Sequence, residues 1–195
     1  DSTGETKEPI KWRVLKVEDG KALLLADNNL DCRKYNDSRT SVTWETCMLR
    51  AWLNGDFLNA AFTPQEQKGI LITTVENPDN PHPIYNTPGG NDTQDKVFLL
   101  SIQESQDGAY GFLIDQTRKA ANTAYATAQG AYTSYGNGKW WLRSPGWGTD
   151  SAATVWTLGS IQDNGNYVEA SNVAVRPALC VDLDSPDLAD AGTAS

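Results

Sequence analysis

Between residues 11 and 17 apolar and charged side chains take turns along the chain, the pattern of a half-buried strand. Glu18-Asp19-Gly20 supplies turn chemistry, and residues 21–26 return as a more buried strand, so a β-hairpin is predicted. A polar loop over residues 27–41 follows. The spacing then becomes helical. Leu49, Trp52 and Leu53 fall on one face, with Thr43 as the expected N-cap and Glu45 in the first turn, where the helix dipole favours an acid. Asn54-Gly55 is the expected stop, and a second helical piece is predicted over residues 57–62. Thr63-Pro64-Gln65-Glu66 joins a cap, a proline at the first helical position and a capping-box glutamate. That combination predicts a helix running into Ile70 and Leu71.

Residues 73–95 read as a long loop, because Pro78, Pro81, Pro83, Pro88 and Gly89-Gly90 interrupt any regular element. His82, the only histidine, lies inside it without a nucleophile motif nearby and is expected to be a solvated polar residue. The oxygen-rich run Asn91–Asp95 is of a kind that can hold calcium, but it lacks the acid spacing and following glutamate of an EF-hand. Asp92 or Asp95 is instead expected to anchor the loop by accepting backbone or arginine hydrogen bonds. A strand over residues 96–100 leads into a second capping box, Ser101-Ile102-Gln103-Glu104, and so into a helix. Alanine content predicts a further helix over residues 120–128, and residues 130–138 form a loop rich in Gly, Ser, Asn and Tyr.

The stretch 139–179 organises the rest. Trp140-Trp141-Leu142-Arg143-Ser144-Pro145-Gly146 opens it and Val175-Arg176-Pro177-Ala178-Leu179 closes it. Buried strands are expected over residues 139–143 and 152–156, with a turn at Leu158-Gly159-Ser160. Ile161 and Val168 should flank a hairpin turn at Asp163-Asn164-Gly165. Residues 173–181 should form one closing strand, with Pro177 at an edge or bulge.

The composition narrows the function. A chain of 195 residues with 39% hydrophobic content and seven Trp has the material for one folded domain. A net charge of −9 counts against nucleic acid or an anionic membrane as main partner. No apolar run approaches the ~20 residues of a membrane span, and DSTGETKEP lacks the apolar core of a signal peptide. Cys32, Cys47 and Cys180 match no zinc spacing. They leave a Cys32–Cys47 disulfide open, with buried free thiols as the favoured reading. No metal and no cofactor is expected. The expected division is a polar segment 1–9, a domain 10–183 and an acidic tail 184–195 that frays or links.

The WWLRSPG run, the VRPAL run about thirty residues on, and the upstream TWETCMLRAWLN and GGNDTQDKVFLLS resemble a family of bacterial and phage domains. These resemble the C-type lectin fold in the branch shared with formylglycine-generating enzymes and the variable proteins of diversity-generating retroelements. The resemblance implies an α+β, C-type lectin-like fold with an N-terminal hairpin and helices and a β-rich C-terminal half. In such variable proteins a rewritten C-terminal segment forms the ligand-binding face.

Carried over to residues 140–179, the resemblance makes Arg143, Ser144, Pro145, Gly146, Ala152, Ala153, Val155, Gly159, Gly165, Val168, Arg176 and Pro177 scaffold. It makes Trp147, Thr149, Asp150, Ser151, Thr154, Trp156, Thr157, Gln162, Asn164, Asn166, Tyr167, Glu169, Ala170, Ser171 and Asn172 the displayed set. Trp147 lies between two glycines and should be exposed, whereas Trp156 and Tyr167 suit display and core equally. Asp150 and Glu169 could pair a cationic group on a partner. Arg143 and Arg176 are expected to be structural pins.

The expected function is therefore recognition of a protein or other macromolecular ligand at a bacterial cell surface or on a phage particle, without catalysis. A fixed-specificity adhesion or carbohydrate-binding module is the alternative. A formylglycine-generating-type oxidase fits less well, because that chemistry uses a late cysteine pair with copper, and Cys180 stands alone. There is no GxSxG elbow, and the Glu-Pro-Asn and Gln-Pro-Asp sugar motifs of calcium-dependent lectins do not occur.

Overall fold

The computed structural model describes Thr3 and residues 8–187. It is mixed α+β and mostly strand. The alternating N-terminal pattern folds as the hairpin β1 (Trp12–Glu18) and β2 (Lys21–Ala26). Asp19 and Gly20 both take positive φ, of 49° and 70°, as a two-residue hairpin turn requires. A bulge at Leu15 shifts the register, so the strict alternation read along β1 is broken there. The predicted loop after β2 contains a short strand, β3 (Asp31–Cys32), buried under the C-terminal segment.

The first helix differs from its expected start. Thr43 accepts from Thr46 and Cys47 through its carbonyl, a turn that precedes the helix. The N-cap of α1 (Met48–Trp52) is Cys47, and Glu45 lies outside the element. Asn54-Gly55 does not stop it. The chain runs on through a π-helical turn, Leu53–Phe57, into α2 (Leu58–Ala61). Asn54 has another use: its Oδ1 accepts the backbone N–H of Lys96 and Val97, and its Nδ2 donates to the Val97 carbonyl at 2.8 Å.

Both capping boxes form. Thr63 N–H donates to Glu66 and Glu66 N–H to Thr63 Oγ1, opening α3 (Glu66–Gly69). Ser101 and Glu104 exchange the same bonds, but only the 3-10 turns Glu104–Gln106 and Gly108–Tyr110 follow.

The ends of the long proline-rich loop pair as β4 (Thr73–Val75) and β5 (Thr93–Asp95). Asp95 is the anchor expected there. It accepts from Arg50 Nε at 2.7 Å, Trp44 Nε1 at 3.0 Å and Thr93 Oγ1 at 2.7 Å. Asp92 accepts the N–H of Asn77. Next come β6 (Val97–Phe98), α4 (Asp115–Arg118) and α5 (Ala124–Ala128). The last is shorter than the alanine content predicts, because Thr123 caps it and the preceding alanines lie outside the helix. A small hairpin, β7 (Thr133–Ser134) with β8 (Asn137–Gly138), lies in the predicted loop.

The C-terminal strands are β9 (Trp140–Pro145), β10 (Ser151–Val155), β11 (Ile161–Tyr167), β12 (Ala174–Val175) and β13 (Ala178–Asp182). One sheet has the order β1-β2-β13-β6, and a second has β11-β10-β9-β12-β3. Two predictions change here. Asn164-Gly165 is not a hairpin turn but part of a bulge in the edge strand β11, where the register jumps from Asn166 to Gln162. The predicted closing strand is two, because Arg176-Pro177 carries the chain from the second sheet into the first.

Arg176 pins that crossing. Its side chain is fully buried and donates to the carbonyls of Ala26 at 2.8 Å, Arg118 at 3.0 Å and Asp27 at 3.2 Å. Its guanidinium lies 5.0 Å from the centre of the Trp140 ring. Burial, with a smaller effect from Arg13, pulls its pKa down to about 9, so it is still charged at neutral pH. Arg143 likewise donates to the carbonyls of Glu76 and Leu99 and pairs with Glu104. All three cysteines are free. The tail beyond residue 187 lies outside the described residues.

Arg176→Met would leave three inward-facing carbonyls without this donor. It is expected to lower the unfolding free energy by about 3 kcal/mol or more, read from the midpoint of a urea denaturation curve.

Candidate functional site

The expected display residues divide into three groups. The first clusters where β9 hands over to β10. Trp147 is 48% exposed and Tyr167 40%, and their rings meet edge to face at 6.1 Å. Asp150 Oδ2 accepts from Arg39 Nε at 2.8 Å, and the Arg39 guanidinium sits 3.5 Å above the Tyr167 ring. Thr149 and Ser41 share a hydroxyl hydrogen bond of 2.8 Å. Asn164 is exposed beside them, its carbonyl accepting from Trp147 N–H at 3.0 Å. Asn166, half-buried, follows on β11. Glu169 is exposed in the turn that leaves it. The result is a two-ring aromatic surface bordered by a guanidinium, a carboxylate, hydroxyls and amides.

The second group lies near the far end of β10. Trp156 is half-buried and packs on Tyr132 with ring centres 5.4 Å apart. Gln162 donates to Ser160 Oγ nearby. Ser171 and Asn172 are exposed, and Lys139 Nζ donates to Asn172 Oδ1 at 3.5 Å. Ala170 is half-buried and packs on the core.

The third group is a correction. Ser151, Thr154 and Thr157 are 2%, 0% and 0% exposed, so they display nothing. The reason is topological. Ser151 and Thr154 belong to β10, an inner strand between β9 and β11 whose every residue is buried, and Thr157, two residues beyond its end, is buried as well. Ser151 is scaffold: its hydroxyl accepts from Gly148 N–H and donates to the Gly148 carbonyl, closing the turn that carries Thr149 and Asp150.

The backbone under the first group is held from outside the segment. Asn80 is 2% exposed, and its Nδ2 donates to the carbonyls of Pro145 at 2.9 Å, Gly146 at 3.0 Å and Asp163 at 2.7 Å. One amide thus ties the turn after β9 to the bulge of β11. Gly146 and Gly165 permit the close approach, since a Cβ on Gly146 would meet the Asn164 carbonyl at 2.5 Å and one on Gly165 the Ala152 carbonyl at 2.0 Å. Gly165 also takes φ +68°. His82 sits two residues from Asn80. Its Nδ1 accepts from Ile84 N–H and its ring stacks on Tyr85 at 4.2 Å, a local loop contact.

A family model described as a domain of unknown function, DUF6273, matches residues 19–183. The chain belongs to that family. No curated protein and no solved structure matches it. The DUF6273 match runs from the hairpin turn to the end of β13, so it leaves out β1 but includes every other strand of the two sheets and the whole of residues 140–179.

Elsewhere, a cleft of about 650 Å³ is lined by Arg33, Trp52, Met48 and Ser171, and one of about 770 Å³ by Tyr110, Arg143, Glu104 and Cys180. Burial pushes the Cys32 thiol up to about 11 and Cys47 to about 12, and it raises Cys180 as well. Each is therefore a protonated thiol near neutral pH, a poor nucleophile. Among the described residues no group of three or more His, Cys, Asp or Glu could hold a metal ion.

Arg39, Ser41 and Asn80 escaped the sequence reading. They come from loops far along the chain, and no local spacing marks them as neighbours of the display segment. Asn80→Ala should speed hydrogen exchange at the Trp147 N–H by about tenfold, equivalent to about 1.4 kcal/mol of local opening. An unchanged rate would show that the loop does not hold the turn.

Proposed function

We propose that this DUF6273 domain is a ligand-binding protein of the retroelement variable type, built on a C-type lectin-like scaffold and displayed on a bacterial surface or a phage. The observation that carries the reading is the exposed cluster of Trp147, Tyr167, Asp150 and Arg39 on turns whose backbone is held by buried donors. Aromatic rings of this kind give large contact area at low side-chain entropy cost, and the surrounding amides and hydroxyls adapt to a partner's polar groups. The partner is a protein or another macromolecule. The negative charge of the chain disfavours nucleic acid, and among the described residues no helix is long and apolar enough to cross a membrane. The three protonated thiols and the lone, locally bonded His82 support binding over catalysis.

One observation favours a fixed-specificity surface module as the second reading. Asp150 and Thr149 are held by Arg39 and Ser41, which lie outside residues 140–179. Free variation at those two positions would leave Arg39 and Ser41 without their partners. The DNA around the gene separates the two readings: a near-repeat of the segment for residues 140–179, differing where the template has adenine and lying beside a reverse transcriptase, supports diversification.

Binding itself is tested by changing Trp147, Asp150 and Tyr167 together to alanine. The variant is expected to lose partner binding by at least about a hundredfold, while its melting temperature stays close to that of the parent. Retained binding would move the site away from this face.

A further inference from the structure

Lys139 is 4% exposed, yet among the described residues no carboxylate lies within ion-pair distance of its ammonium group. Its hydrogen-bond partner is the neutral amide of Asn172, at a long 3.5 Å. The rings of Trp156 and Tyr132 lie 5.4 and 5.9 Å from Nζ. The nearby Cys32 thiol supplies no counter-charge. Burial keeps the Cys32 thiol protonated, with a pKa of about 11, and Asp31 is committed to Arg33 Nε at 3.0 Å and to the Cys32 N–H. Burial also lowers the Lys139 pKa. A buried ammonium without a counter-ion is costly, and an arriving anion removes that cost.

The groups above the ammonium are open to solvent. Tyr132 is 40% exposed, Ser171 and Asn172 are exposed, and Trp156 is half-buried. The Asn172 side chain, bonded to Lys139 only at that long distance, is free to swing aside for a better acceptor. The site therefore offers a positive charge, two aromatic rings and an amide within one small area. An acidic sugar matches that set group for group. Its carboxylate would pair the ammonium, its C–H face would lie on an aromatic ring, and a hydroxyl would meet the amide.

We propose that Lys139, Trp156, Tyr132 and Asn172 form a subsite for a carboxylate-bearing sugar of the uronic acid type. The subsite stands independently of the Trp147–Tyr167 face.

The test titrates the intact 195-residue chain with glucuronate, with glucose as its neutral counterpart and hexaglutamate as an acidic peptide, following the Trp156 indole N–H by NMR and the affinity by calorimetry. Glucuronate is expected to shift the Trp156 signal and to bind at least about tenfold more tightly than glucose. Lys139→Met is expected to erase that difference. Asn172→Asp, at an exposed position that leaves the fold intact, supplies the missing carboxylate from within the chain and is expected to erase it too. Equal affinity for the two sugars, a Trp156 signal that neither moves, or undiminished glucuronate binding in Asn172→Asp would overturn the proposal. A response to hexaglutamate with none to glucuronate would overturn the sugar assignment in favour of an acidic peptide.

Discussion

The buried guanidinium of Arg176 is the interaction on which the two sheets depend. It stands where the chain leaves β12 for β13, and its bonds to Ala26, Asp27 and Arg118 join the end of the N-terminal hairpin, the end of α4 and the crossing itself. A charged group so deeply buried is tolerable only because backbone carbonyls and the face of Trp140 replace its water. The proline that follows has no N–H to place in a ladder, and its carbonyl accepts from Ala26 N–H at 2.9 Å. The pair therefore ends one strand and begins another.

The same device recurs closer to the surface. Arg143 holds the carbonyls of Glu76 and Leu99, and Asn80 holds those of Pro145, Gly146 and Asp163. In each case a buried side-chain donor fixes backbone from a distant part of the chain. The turns that carry Trp147, Asp150 and Asn164 are thus positioned without drawing on the side chains they expose. That separation is what allows a surface to be stated in terms of its outward groups alone, and it is why Gly146 and Gly165 have no room for a Cβ. The Lys139 site differs in kind. There the unsatisfied element is a side chain, and its environment of rings and a neutral amide leaves the charge unanswered within the chain.

Local signals in the sequence were reliable where the chain's neighbours in space are also its neighbours in sequence. The β1–β2 hairpin, the two capping boxes and the turn at Gly159 all form, because each is decided by bonds spanning a few residues. The same local reasoning misplaced the first N-cap, since Thr43 and Cys47 both offer an acceptor and the burial of Trp44 against Asp95 decides between them. It also took Asn164-Gly165 for a turn. The same positive φ serves a bulge when β10 continues alongside. Ser151 and Thr154 read as displayed polar groups because nothing in their type says that β10 has a strand on each side, and Thr157 because nothing in its type says that the residues just beyond β10 are covered.

By itself, then, the sequence determined the hairpin, the two capping boxes and the exposure of Trp147, which follow from residue type and short spacing, while the α+β character and the structural role of the two arginines came with the family resemblance. Only the tertiary structure decided which sheet each C-terminal strand joins, that Arg39 and Asn80 stand beside the display turns, and that Lys139 is buried without a counter-ion. These depend on contacts between residues as far apart as Arg39 and Asp150 or Asn80 and Asp163, and the pairing of such distant groups is set by how the whole chain packs.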